Sequence, residues 1–179
     1  SFLTIINMSE IEKRPELRFD SEFDTDEFSI IRNAFNEVYR LLRKNLKKPF
    51  LRVKTRCAYP GGKFKGAYIW DSAFISNIWR IWDNDIAKEI MMPFLDHQLE
   101  NGMCPKDIGL RFKLNKKQSN PPLIAWALTE NARMTGDYEG LRELYPKLQK
   151  FNDFLYRERE RDGLFIWKHS YESGIDNSP

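Results

Sequence analysis

The sequence predicts an all-α fold. Three observations carry that reading: apolar residues recur at helical spacing in several stretches, helix-starting and helix-stopping residues bracket them, and no alternating run makes a convincing strand. The first stretch opens at Asp24-Thr25-Asp26-Glu27. Phe28, Ile31, Phe35, Val38, Leu42 and Leu46 follow at spacings that put them on one face, which predicts a helix over about residues 26–46. Residues 1–25 read as an irregular lead-in. Pro49, Pro60, Gly61, Gly62 and Gly66 make 50–69 a long loop, too aromatic for a linker. Asp71-Ser72 then opens a second helix with Phe74, Ile75, Ile78, Trp79 and Trp82 expected to face inward. A third runs from about Asp85 to Leu99 and stops at Asn101-Gly102, with Pro105 beyond it. A polar loop over 103–120 leads to Pro121-Pro122, whose fixed φ suits the first turn of a fourth helix through Met134, closed by Gly136. The fifth spans about Tyr138 to Glu160. Trp79, Trp82 and Trp126, with Met91-Met92, are expected to pack between helices.

Composition narrows the class. The 179 residues suffice for one domain or for part of a larger one, and 41% hydrophobic with 31% charged residues describes a globular chain. No apolar run approaches the roughly 20 residues that span a bilayer, so no membrane partner is expected. With 29 basic against 26 acidic residues the net charge is +3, which gives no support for a nucleic-acid partner. Arg43, Lys44, Lys47 and Lys48 read as the solvated end of the first helix, where cations suit its dipole. Cys57 and Cys104 lie far apart without metal-ligand spacing, so neither a metal site nor a disulfide framework is signalled. The opening Ser1-Phe2-Leu3-Thr4-Ile5-Ile6-Asn7 has too short an apolar region for a signal peptide, and a cytoplasmic location is expected.

Chemistry concentrates in the loops. Trp167 to Pro179 crowds aromatic, acidic and amide side chains into a glycine- and proline-punctuated stretch, a composition suited to a sugar. Trp70-Asp71 offers a ring for the C–H face of a sugar beside a carboxylate for paired hydroxyls, although Asp71 also suits a helix cap and Trp70 a core position. Gln118 carries an amide that donates and accepts at once. Asp176 suits either a general acid or a helix cap. Glu172, four residues before it, lies too near along one loop to stand opposite it across a sugar, and is better read as a support or a sugar contact. His97, a lone histidine at a helix end, reads as structural.

Four segments occur in order: Tyr59 to Ser72 (YPGGKFKGAYIWDS), Gln98 to Pro105 (QLENGMCP), Gln118 to Pro122 (QSNPP) and Glu172 to Pro179 (ESGIDNSP). Together they resemble the (α/α)6-barrel glycoside hydrolases, specifically the family 63 α-glucosidases with their mannosylglycerate and glucosylglycerate hydrolase relatives, and more distantly the trehalases. The resemblance covers about residues 26–179 and departs where Ile175 stands in place of a frequent aromatic. It implies the N-terminal part of a six-hairpin toroid, truncated at its C-terminal end. It also implies an inverting hydrolase of a small α-glucoside or α-mannoside, with Asp176 as general acid and a general-base Glu in the later half of the barrel. By the same resemblance Asp71 holds the glycone, Phe64, Tyr68 and Trp70 line its pocket, and Gln118, Glu172 and Asn177 complete the substrate contacts. The implied partners are a small carbohydrate and the remainder of the barrel, with no metal and no organic cofactor. The alternative is a non-catalytic carbohydrate-binding or scaffold protein on the same toroid.

Overall fold

A computed structural model describes residues 26–174 of the chain. Helix α1 (Asp26–Asn45) is followed by two-residue strands β1 (Leu46–Lys47) and β2 (Cys57–Ala58), then β3 (Gly66–Tyr68), which runs directly into α2 (Ile69–Trp79). After α3 (Asn84–Asp96) come β4 (Asp107–Gly109) and β5 (Lys113–Leu114). Helices α4 (Ile124–Thr135) and α5 (Tyr138–Arg159) follow, and the hairpin β6 (Glu160–Arg161) and β7 (Leu164–Phe165) leads into the closing loop. Helices pack in series: α2 lies on α3 and α4, and α4 on α3 and α5.

Local chemistry accounts for most boundaries. The Asp83 carboxylate accepts from Ile86 N at 2.9 Å and starts α3, and Asp137 accepts from Gly140 N at 2.8 Å and starts α5. Gly136, at φ +76°, ends α4 in the left-handed conformation that costs glycine nothing. The long loop before β3 is tied down by a two-pronged ion pair, Arg56 Nε and Nη2 to Glu89 at 2.7 and 3.0 Å, and by Thr55 Oγ1 donating to the Glu89 carbonyl at 3.0 Å.

Several helix faces differ from expectation. Helix α1 docks through Phe35, Tyr39 and Leu42, with Leu46 of β1 beside them, while Ile31 and Val38 remain about half exposed, at 50% and 44%. The phase is set by aromatic edges: Phe35 meets Trp82 at 5.3 Å, and Tyr39 meets Trp82 at 5.2 Å and Trp79 at 5.9 Å. Helix α2 begins at Ile69, and the residue before it, Tyr68, makes no side-chain cap. Asp71 therefore sits inside the first turn, where its charge suits the dipole, and is not the cap. The buried face of α2 is Ile69, Ser72, Ala73, Ser76 and Trp79, so Phe74 and Ile78 point outward. Its small residues let α3 approach, and Ser76 Oγ donates to the Ala87 carbonyl at 2.7 Å. Trp126, expected inside, is 40% exposed and rests its ring edge on Phe74 at 5.8 Å.

Two further corrections concern loops. Pro121 and Pro122 precede α4 instead of forming its first turn, because α4 starts at Ile124 after Leu123. A residue before proline is pushed toward extended backbone, and Pro122 imposes this on Pro121. The loops also hold short strands that the sequence did not signal. β3, β4 and β5 form an antiparallel sheet in that order, with Ala67 opposite Ile108 and Tyr68 opposite Asp107. Strands of two or three residues leave no periodic trace.

Beneath these loops lies a continuous core that includes Cys57, Ala67, Trp79, Ile90, Phe94, Ile108 and Ile124. Burial pushes the Cys57 thiol up to about 11 and the Cys104 thiol to about 12, leaving both protonated and inert at neutral pH. Among the described residues no cluster of three or more His, Cys, Asp or Glu is placed to hold a metal, and no helix is long and apolar enough to cross a membrane.

Candidate active site

The β3–α2 junction brings Trp70 and Asp71 to the rim of the fold. The first amides of a helix have no partner within it, and a buried one left unbonded is costly. Here Trp70 N donates to the side-chain oxygen of Asn120 at 3.1 Å, a cap lent from fifty residues away along the chain. On the other side, the closing loop turns through a short 3-10 segment, Ser170–Glu172, and reaches Gly174 at φ +75°. A Cβ at Gly174 would stand 3.0 Å from the Trp70 ring, so the loop backbone lies directly against the indole.

Between these walls is a cavity of about 200 Å³. Phe64, Tyr68, Trp70 and Asp71 line it together with Lys106, Asn120, Tyr171 and Gly174. Phe64 and Tyr68 meet edge to face at 6.0 Å, which fixes both rings. Lys106 Nζ stands 5.1 Å from the centre of the Tyr171 ring and makes no ion pair among the described residues. Rings, a carboxylate, an amide and one cation around a small space are the means of gripping a polyhydroxylated ring that bears or adjoins a negative charge.

Glu172 anchors the closing loop from behind. Its side chain is buried, and it accepts from Ser119 N at 2.9 Å, Lys168 N at 2.8 Å and Arg159 Nη2 at 2.7 Å. Burial pushes its carboxyl up, but the Arg159 guanidinium and the two backbone amides outweigh that and hold it below the usual range. These three bonds are those of the supporting role expected of Glu172, and its carboxylate is not among the groups that line the cavity. A depressed folded value means that the stabilisation is present above the unfolded carboxylate value, near 4.5, and is lost as pH falls through the folded one. Melting temperature followed from pH 7 down to pH 3 should therefore fall more steeply for the natural sequence than for Glu172→Gln. Parallel curves would show that the group carries no linked stability. Asp107, opposite Tyr68, is shifted the other way: burial raises it, only partly opposed by the Asn115 amide and the charges of Lys106 and Lys113.

Four of the residues expected in the pocket, Phe64, Tyr68, Trp70 and Asp71, share the cavity. Gln118 lies beside it: its Oε1 accepts from Asn115 Nδ2 at 3.0 Å and its carbonyl from Lys106 N at 3.1 Å. His97 is structural, donating from Nδ1 to the Pro93 carbonyl at 2.8 Å and packing on Phe112. Ile175, Asp176 and Asn177 lie outside the described residues. Sequence reasoning missed Lys106, Asn120 and Tyr171 as lining residues, although each stands in or next to one of the four segments. It missed Arg159 altogether, since that residue sits in a run of charges that reads as a solvated helix end.

Helices packed in series thus present their connecting loops on a cavity lined by aromatic rings and a carboxylate, an arrangement consistent with part of a helical-hairpin toroid. The chain belongs to the family described as mannosylglycerate hydrolase MGH1-like glycoside hydrolase domain, which matches residues 65–179. It is 28% identical over 143 residues to a mannosylglycerate hydrolase of Thermus thermophilus, covering 66% of this chain and 34% of that protein. A mannosylglycerate hydrolase of Rubrobacter radiotolerans is 28% identical over 138 residues, covering 62% of this chain and 31% of the relative. The chain thus spans about a third of the length of these relatives. Among solved structures, a family 63 mannosylglycerate hydrolase of Thermus thermophilus in complex with Tris and D-glycerate superposes with a TM-score of 0.68 at 27% identity, over 80% of this chain and 38% of that one. The same enzyme in complex with glucose gives 0.68 at 26% identity, over 80% and 39%. The mostly helical architecture is that of the N-terminal part of an (α/α)6 barrel, with small sheets added in its loops.

Proposed function

We propose that this chain carries the glycone pocket and the acid side of an inverting glycoside hydrolase that cleaves a small α-mannoside or α-glucoside. The observation that carries the reading is the convergence of Trp70-Asp71 and Gly174 on one cavity inside the family-matching segment. Asp176 follows Gly174 by two residues along the chain. Its carboxyl is assigned as general acid to the glycosidic oxygen. The base would be a Glu from the later half of the barrel, across the roughly 6.5–9.5 Å that admits a water nucleophile. Asp71 and Trp70 hold the glycone, with Phe64 and Tyr68 closing its pocket.

Lys106 narrows the substrate. A cation with no ion-pair partner among the described residues, set beside a sugar pocket, suits an aglycone carboxylate, and two of the relatives are named for mannosylglycerate. A glycosylglycerate is accordingly favoured over a neutral disaccharide. Incubating the full-length protein with mannosylglycerate, glucosylglycerate, trehalose, kojibiose and nigerose, and following the released anomer by NMR, tests this directly. Fastest release of the inverted sugar from a glycosylglycerate is expected; turnover of none, or retention, would sink the reading. Lys106→Met should raise KM for the glycosylglycerate about 10-fold or more, the loss of one charge-assisted hydrogen bond. It should leave a neutral α-glycoside unaffected, and equal effects on both would remove Lys106 from the aglycone site.

A further inference from the structure

We infer that Arg159 is a positioning residue for the general acid: with Glu172 and Ser119 it forms a buried clasp that fixes the loop leading to Asp176 against the wall carrying Trp70 and Asp71. The inference rests on the reading of Asp176 as acid, but its geometry is independent of that residue. Arg159 is the last residue of α5, and its side chain and that of Glu172 are 5% and 1% exposed. The guanidinium meets Glu172 Oε1 at 2.7 Å and lies over the Phe154 ring at 5.1 Å. The same Oε1 accepts from Ser119 N, and Oε2 from Lys168 N. Ser119 adjoins Asn120, whose oxygen holds Trp70 N. One line of bonds thus runs from α5 through the closing loop and the 119–120 segment into the first turn of α2.

Stability alone does not account for this arrangement. Removing two charges from water costs several kcal/mol each, and a well-packed apolar pair in their place is often as stable or more so. An apolar pair, however, cannot receive two backbone amides from different segments in fixed directions. What the clasp adds is registry: Tyr171 and Gly174 are held at the cavity, and the acid follows within two residues of Gly174. A misplacement of about 1 Å at a reacting group costs on the order of 100-fold in rate.

Leaving-group dependence separates positioning from general damage. From a glycosylglycerate the glycerate leaves as an alkoxide that needs the acid's proton, whereas from an α-glycosyl fluoride of the same sugar fluoride leaves with little dependence on the acid. In the full-length protein, Arg159→Met and the near-isosteric Glu172→Gln should each lower kcat on the glycosylglycerate about 100-fold with KM changed less than about threefold. The fluoride should still turn over near the natural rate, and Arg159→Lys should recover part of the loss. Equal losses on both substrates, or no loss on either, would overturn the inference. Asp176→Asn is the control: if it shows the leaving-group pattern while the Arg159 and Glu172 variants do not, only the clasp is refuted. If Asp176→Asn retains activity on both substrates, the assignment of the acid itself falls.

Discussion

Asn in place of Asp176 is expected to slow hydrolysis of a glycosylglycerate by the full-length protein about 10²–10⁴-fold while leaving KM nearly unchanged, the loss typical of a removed general acid. An amide has no proton of suitable acidity to give to the departing oxygen, yet it keeps the size and polarity of the side chain, so binding should survive. In the pH dependence of kcat the alkaline limb, which reports ionisation of the acid, should vanish in the variant. A turnover within a fewfold of the natural protein would return Asp176 to the role of a helix cap. Trp70, Asp71 and Lys106 would then remain as the lining of a binding site without chemistry.

The second large effect is on folding. Gly102→Ala should destabilise the full-length protein by about 2–4 kcal/mol, the sum expected from left-handed strain and overpacking. Gly102 has φ +93°, and a Cβ built there would lie closer to the Lys150 carbonyl oxygen than atoms can approach. That oxygen belongs to the backbone of α5, which cannot swing aside. Gln98 Nε2 ties the same turn to α5 by donating to the carbonyls of Gly102 and Lys147, each at 2.9 Å. Gly163 is the matched control, at φ +80° with nothing within 4 Å of its would-be Cβ, so Gly163→Ala should cost only about 1 kcal/mol of backbone strain. Urea unfolding midpoints decide it, and equal losses at the two glycines would show that close approach to α5 contributes nothing.

The sequence disclosed what is local. The helix starts expected near Asp85 and at Tyr138 fall within a residue of those observed, Gly136 closes α4, and the apolar stripe of α1 exists even though its phase shifted to meet Trp79 and Trp82. The start of α2 was hidden because no neighbour in sequence caps it, the partner being Asn120. The outward turn of Phe74, Ile78 and Trp126 was hidden for a related reason: helical spacing states that a residue is apolar, not which side its neighbours occupy. β3 and β4 pair across some forty residues and are too short for alternation to register. Within the site, Trp70 and Asp71 were legible as an adjacent ring and carboxylate. The supporting role of Glu172 was half legible, and Arg159 was not, since only the fold shows that one arginine in a charged run turns inward.

Three of the bonds that brace the cavity among the described residues fall on main-chain amides: Trp70 N, Ser119 N and Lys168 N are received by Asn120 and Glu172. A frame keyed to the backbone is indifferent to which side chains those positions and their neighbours present. Phe64, Lys106 and Tyr171 can therefore be exchanged, by mutation or over evolutionary time, with the scaffold left standing, and one architecture can be retuned from ligand to ligand by its lining alone.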